Sequence, residues 1–312
     1  MWSRRDVLRA AGLGASLAAL GQPARSAPTA PAKEARAMDA PILRPIPATG
    51  EQLPAIGLGS WQTFDVADPA TVQPVLARFL ALGGRVIDSS PMYGRAEGAI
   101  GAMLAAIRKA DPQAPAPFLA TKVWTRGKAE GIAQMKRSLD LLGAPRIDLM
   151  QIHNLVDWKT QLATLREWKA AGTIRYLGVT HYAHSAFGEL EQLLRTERLD
   201  FIQLPYSAGD RAAEQRLLPA AAERGIAVLV MEPFGSGALL KATRGKPLPA
   251  VARELGCASW AQLLLKFIVG HPAVTCPIPA TSKIAHLEDN LGALRGPVPT
   301  EAQRKQIVAA LG

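Results

Sequence analysis

From residue 55 onward the chain alternates short apolar runs with amphipathic stretches, and no other feature restricts its fold so tightly. The apolar runs fall at 55–59, 85–89, 118–122, 149–153, 176–180, 201–204, 227–231 and 275–278. The helical stretches fall near 69–82, 95–110, 128–142, 159–171, 185–196, 212–224, 259–270 and 284–294. Strands that are nearly continuously apolar belong to parallel sheets covered by helices on the outside. Eight strand and helix units therefore predict an α/β fold closed into a (β/α)8 TIM barrel. A doubly wound sheet is the main rival. It would advertise Gly-x-Gly-x-x-Gly after its first strand, and Gly57-Leu58-Gly59-Ser60-Trp61-Gln62 stops after two glycines. Upstream, "ILRPIPATGEQLPAIGLG" reads as an N-terminal β-hairpin turning at Ala48-Thr49-Gly50-Glu51.

The first residues read as an address and are kept out of the fold argument. Ser3-Arg4-Arg5-Asp6-Val7-Leu8-Arg9 looks like a twin-arginine export signal, followed by a weakly apolar stretch from Ala10 to Leu20. Ala24-Arg25-Ser26 fits a small-x-small cleavage site. The stretch is far shorter than the roughly 20 residues that span a bilayer, so no stable membrane insertion is expected. The expected organisation is a signal peptide at 1–26, a Pro/Ala-rich connector at 27–41 and a barrel at 42–312, exported by the twin-arginine machinery to the periplasm as a monomer. The formal net charge is +10, but Lys and Arg are scattered through the helical stretches, which argues against nucleic acid as a partner. Cys257 and Cys276 have no metal-like spacing and read as buried thiols. No His, Asp and Glu set suggests a metal, and His184 and His271 read as structural.

Asp88, Tyr93, Lys122 and His153 stand at or just past the ends of three successive apolar runs. In a barrel that end carries the chemistry. Reduction of an aldehyde or ketone needs a proton donor within about 3 Å of the carbonyl oxygen, because the alkoxide formed as hydride adds is strongly basic. The Tyr93 phenol suits that role. An ammonium about 4 Å away contributes up to roughly 4 kcal/mol at an effective dielectric near 20, and Lys122 is placed to be that cation. Asp88 keeps a buried lysine charged, and His153 donates to the carbonyl oxygen. Singly, each has a plainer reading: a helix cap, a loop aromatic, a solvated strand end and a core imidazole.

Together with "GLGSWQTF", "YLGVTHY", "FIQLPYS", "MEPFGSGALL" and "IPATSKIAHLEDN", the four residues make the chain resemble the aldo-keto reductase family over roughly residues 42–295. The resemblance implies an NAD(P)H-dependent oxidoreductase acting on a small carbonyl compound, with NADP (NADPH) favoured over NAD. It implies that Thr180 and His181 grip the nicotinamide carboxamide, where the family usually has Ser-Asn. Gln203 becomes a second carboxamide contact and Tyr206 the ring stacked on the nicotinamide. Pro233, Phe234, Gly235 and Gly237 form the pyrophosphate loop. Thr281, Ser282, Lys283 and His286 meet the 2′-phosphate, and Asp289 and Asn290 the adenine. The family often has Arg where His286 stands. Trp61, Trp124 and Trp158, past barrel strands, are expected to line a pocket for an apolar or aromatic carbonyl compound. Two other readings compete: an NADP-binding regulatory or accessory subunit with little turnover, and a barrel hydrolase with His153 as base, for which Ser89, Ser90 and Thr121 lack an evident partner.

Overall fold

In the computed structural model the described residues are 40–312, so the expected leader and most of the connector lie outside them. The apolar runs pair in chain order as parallel strands: β3 (Leu58–Gly59), β4 (Val86–Asp88), β5 (Phe118–Val123), β6 (Ile147–His153), β7 (Ile174–Thr180), β8 (Phe201–Pro205), β9 (Ala227–Met231) and β10 (Cys276–Pro277). The ring closes between its first and last strands. Gly59 bridges Ala280 in parallel, and the amides of Gly57 and Gly59 donate to the carbonyls of Pro277 and Pro279. A Cβ on Gly59 would lie 2.7 Å from the Ile278 carbonyl oxygen, and one on Gly57 would lie 2.9 Å from that of Val86. The two glycines of "GLG" thus serve barrel closure. The last strand is shorter than the expected 275–278 because Pro277 and Pro279 have no N–H to extend the ladder.

Side chains alternate in and out along each strand. Phe118, Leu149, Tyr176, Phe201 and Leu229 fill the lower barrel interior, and Ile46 and Leu53 join them from a hairpin of β1 (Leu43–Pro45) and β2 (Gln52–Pro54). The Tyr176 hydroxyl holds that hairpin by hydrogen bonds to Thr49 and Glu51. Above this apolar floor the inward positions turn polar: Asp88 on β4, Lys122 on β5, Gln151 and His153 on β6, Thr180 on β7 and Gln203 on β8. The outward set packs in a second cluster beneath the helices.

The helices are α1 (Gln73–Ala81), α2 (Ala96–Ala110), α3 (Lys128–Leu142), α4 (Trp158–Ala170), α5 (Phe187–Thr196), α6 (Leu217–Glu223), α7 (Ala238–Ala242), α8 (Ala250–Glu254), α9 (Trp260–Val269), α10 (Ile284–Gly292) and α11 (Glu301–Ala309). Those at α7, α8 and α11 add to the expected set. The first two run for five residues each, too short for a periodic signal. The last is announced by Thr300 and Gln303, which form a reciprocal capping box at its start. Both cysteines are buried thiols. Among the described residues no helix is long and apolar enough to cross a membrane.

Candidate functional site

The polar layer is organised around one ion pair. Lys122 Nζ donates to Asp88 Oδ2 at 2.6 Å and to the Ser89 carbonyl at 2.8 Å, with both charged side chains almost fully buried. Gln151 Nε2 donates to Asp88 Oδ1 at 3.2 Å and to Gln203 Oε1 at 3.0 Å, tying four strands together through their side chains. Burial opposes the Lys122 charge more than any other influence, yet the Asp88 carboxylate, then Tyr93, and the hydrogen bonds that Lys122 donates to them together raise its pKa above the ordinary lysine value. Lys122 is therefore a charged ammonium at neutral pH.

Tyr93 lies in the loop between β4 and α2, with Lys122 Nζ 5.1 Å from its ring centroid and the His153 ring edge-on at 5.7 Å. Burial pushes the phenol pKa up; the Lys122 charge pulls the other way without cancelling that rise. The hydroxyl keeps its proton at neutral pH, as a proton donor must. Burial, then the Lys122 charge, pushes the His153 pKa down to about 3, so its imidazole is neutral. The structure thus brings all four residues of the expected set together.

Asp88, Tyr93 and His153 line a cavity of about 650 Å³ at the carboxyl ends of the strands, with Lys122 buried behind them. Thr180 and Gln203 line it beside Asp88, Tyr93 and His153. Thr180 Oγ1 is buried and has no hydrogen-bond partner within the protein. A buried hydroxyl without a partner costs about 1–3 kcal/mol. Across the cavity, Pro233, Phe234, Ser236 and Gly237 present the loop after β9. Glu232, Gly235, Ser236 and Gly237 all have positive φ, and the amides of Gly235, Gly237 and Ala238 donate to the carbonyls of Glu232, Phe234 and Gly235, which folds the loop into tight turns just before the start of α7. Thr180 and this glycine-containing loop line the same cavity.

Other expected contacts are sorted by the geometry. His181 stacks on Tyr182 at 5.4 Å, and its Nδ1 accepts from the Ala183 amide, which leaves the proton on Nε2. Gly235 supplies the turn without itself lining the cavity. Ser282, Lys283 and His286 are exposed at the start of α10, directly after Pro279 and Ala280 of the cavity wall. Thr281 is buried, with its hydroxyl accepting from the Lys283 amide. Asn290 lies on the buried side of α10.

Two expectations are corrected, Tyr206 and Trp158. Tyr206 is fully buried: its hydroxyl bonds Glu214 and Arg304, and its ring packs on Phe267 and His271, so it faces the helix layer and not the cavity. Asp289 accepts from Ser259 Oγ and Gln262 Nε2, each at 2.8 Å, contacts that tie α9 to α10. Trp158 begins α4, and its indole N–H donates to Glu189 on α5, away from the cavity. Trp61 does line the cavity, half exposed, and Trp124 stands next to it with its ring 6.4 Å from that of His153. Met92, Tyr182, Met231 and Leu240 complete an apolar rim that the sequence reading missed. For Met231 a signal existed: counting by twos from Ala227 and Leu229 aims it inward.

Comparison with known proteins agrees with this geometry. The profile of the aldo/keto reductase family matches residues 55–311. An aldo/keto reductase of Synechocystis is 28% identical over 276 residues, covering 79% of this chain and 82% of the relative. An uncharacterized oxidoreductase of Schizosaccharomyces pombe is 33% identical over 159 residues, so the matched segment spans 50% of the length of each. The crystal structure of a Klebsiella pneumoniae aldo/keto reductase in complex with NADP and acetate shares the fold with a TM-score of 0.69 at 24% identity, covering 84% of this chain and 93% of the other. With a match running from the first barrel strand to the last helix, the chain belongs to the aldo/keto reductase family.

Proposed function

We propose that the protein is an NADP(H)-dependent oxidoreductase that reduces aldehydes or ketones to alcohols, with Tyr93 as the proton donor. The observation that carries this reading is the protonated phenol of Tyr93 in the cavity wall, beside a Lys122 ammonium that Asp88 holds in its charged form. The solved Klebsiella pneumoniae relatives contain NADP or NADPH, which supports the same cofactor here. Thr180, Gln203 and His181 would hold its nicotinamide end and the loop 233–237 its pyrophosphate. Thr281, Ser282, Lys283 and His286 would meet a 2′-phosphate, which would favour NADP over NAD.

When bound, the reduced cofactor supplies hydride to the carbonyl carbon. Tyr93 gives its hydroxyl proton to the carbonyl oxygen as negative charge develops there, and Lys122 stabilises the phenolate left behind. The neutral His153 imidazole donates a hydrogen bond that orients the same oxygen. The apolar rim of Trp61, Met92, Tyr182 and Leu240 suits an apolar or aromatic carbonyl compound. Rapid mixing of the NADPH-loaded protein with 4-nitrobenzaldehyde tests the reading: cofactor oxidation within seconds supports it. Oxidation slower than minutes across several aldehydes would instead favour an NADP-binding accessory role.

Residues 1–26 are proposed to direct the folded protein through the twin-arginine route to the periplasm, on the strength of Arg4-Arg5, the short apolar stretch and Ala24-Arg25-Ser26. Replacing Arg4 and Arg5 by Lys should leave an uncleaved, active form in the cytoplasm, and normal export of that variant would refute the assignment.

A further inference from the structure

We infer that Ser90, outside the set of four, is a positioning residue that sets the tautomer of His153 and keeps the proton of its ring on Nε2, facing the cavity. The inference rests on the proposed role of His153 as the donor to the carbonyl oxygen, since a neutral imidazole has one N–H and only one of its two nitrogens can fill that role.

Ser90 follows β4 by two residues and is completely buried. Its Oγ lies 2.8 Å from His153 Nδ1. The same Oγ accepts a hydrogen bond from the Met92 amide at 3.1 Å, an i to i+2 contact that fixes the serine rotamer within its own turn. The Tyr93 amide in turn donates to the Ser90 carbonyl, so the serine also anchors the segment that carries the proton donor.

The direction of the Ser90–His153 bond follows from counting protons. In one arrangement Ser90 gives its hydroxyl proton to Nδ1, and the Met92 amide occupies a lone pair of the oxygen. Every polar hydrogen at the serine is then satisfied. In the other, Nδ1–H donates to Oγ. The hydroxyl proton is then buried with no acceptor, because among the described residues the contacts of Ser90 Oγ are His153 Nδ1 and the Met92 amide, and the latter has only a proton to offer. Buried polar hydrogens are rarely left unmade. The first arrangement wins, and it leaves Nδ1 bare and Nε2 protonated.

Nothing else on the ring competes for this choice. The ring meets Tyr93 edge-on and Trp124 at a tilt, through faces and edges that distinguish no tautomer. His153 lies in the cavity wall with Nδ1 turned to the buried serine, so the opposite nitrogen is the one available to a substrate. The neighbouring Ser89 is spent differently, its Oγ accepting from Ser60 and its carbonyl from Lys122. The serine pair thus divides its work: Ser89 steadies the ammonium and Ser90 the imidazole.

The test reads the ring directly. In the purified protein labelled with 15N-histidine, with and without NADP+, long-range 1H–15N correlation spectra should show His153 with a bare Nδ1 and a protonated Nε2 at pH 7. In Ser90→Ala the Nδ1 resonance should move and the single tautomer should give way to a mixture. The kcat for 4-nitrobenzaldehyde should fall about tenfold at nearly constant KM, less than the roughly 10² to 10³ lost when an oxyanion donor is removed outright. A protonated Nδ1 in the wild type, or an unchanged His153 spectrum in Ser90→Ala, overturns the inference. Because the spectrum needs no turnover, a wild-type protein with protonated Nε2 and no reductase activity would count against the proposed function and leave the role of Ser90 intact.

Discussion

Lys122 Nζ meets Asp88 Oδ2 at 2.6 Å, and the two side chains are 1% and 2% exposed. Removing one partner of such a pair leaves a buried charge uncompensated, at a cost of about 3–5 kcal/mol. Asp88→Asn should therefore lower unfolding stability by that amount. It should also discharge Lys122, so that reductase activity falls even at temperatures where the variant stays folded. Denaturant titration and steady-state kinetics at 10 °C separate the two effects. A variant of unchanged stability would show that the pair is solvated in solution.

Thr180 offers the opposite signature. Its Oγ1 is buried without a partner, so Thr180→Val should raise the stability of the free protein by about 1 kcal/mol while weakening NADPH binding about tenfold. Thermal unfolding and fluorescence titration check the two halves. A loss of stability together with unchanged binding would assign the hydroxyl to the scaffold.

Lys283 is exposed at the start of α10, beyond the last barrel strand. If it meets a 2′-phosphate, Lys283→Ala removes a charge-assisted contact worth roughly 1.5–3 kcal/mol. NADPH affinity should fall at least tenfold, and NADH affinity should hold. Equal losses for both nucleotides would place Lys283 elsewhere.

His271 packs edge-on against Tyr206 and accepts from the Ala273 amide through Nδ1; burial, with the Arg304 charge, pushes its pKa down to about 4. The unfolded chain binds its proton near pH 6.5, so between those values the unfolded state holds more protons than the folded one. Stability from this group is intact above pH 6.5 and is lost as pH falls toward 4. His271→Gln should therefore lose less stability than the wild type between pH 7 and pH 5, by about 1 to 2 kcal/mol. Parallel urea titrations at the two pH values measure the difference. Identical losses would mean that His271 is charged in the folded protein.

Much of the barrel and its reactive centre was legible because strand ends and their last inward residues are local facts. Asp88, Lys122 and His153 are each the fourth or fifth residue of an apolar run, and a closed parallel barrel gathers such ends on one rim. Tyr206 shows where likeness to motif positions fails and periodicity would have helped. Gln203 points inward, so the alternation of β8 sends Pro205 inward and Tyr206 outward, toward Phe267 and His271. Met231, in phase with Ala227 and Leu229, lines the cavity. Asp289 and Trp158 were not legible in this way. Their partners Ser259, Gln262 and Glu189 come from neighbouring helices, and only the packed structure pairs them.

Single-turnover reduction by Tyr93→Phe tests the central claim most directly. The substitution removes one oxygen from the cavity wall and leaves the Lys122–Asp88 pair in place. With NADPH bound and 4-nitrobenzaldehyde in excess, the rate of cofactor oxidation should fall by about 10² to 10⁴ while NADPH affinity stays within a few-fold of wild type. A variant that keeps more than a tenth of the wild-type rate would contradict the assignment of Tyr93 as the proton donor.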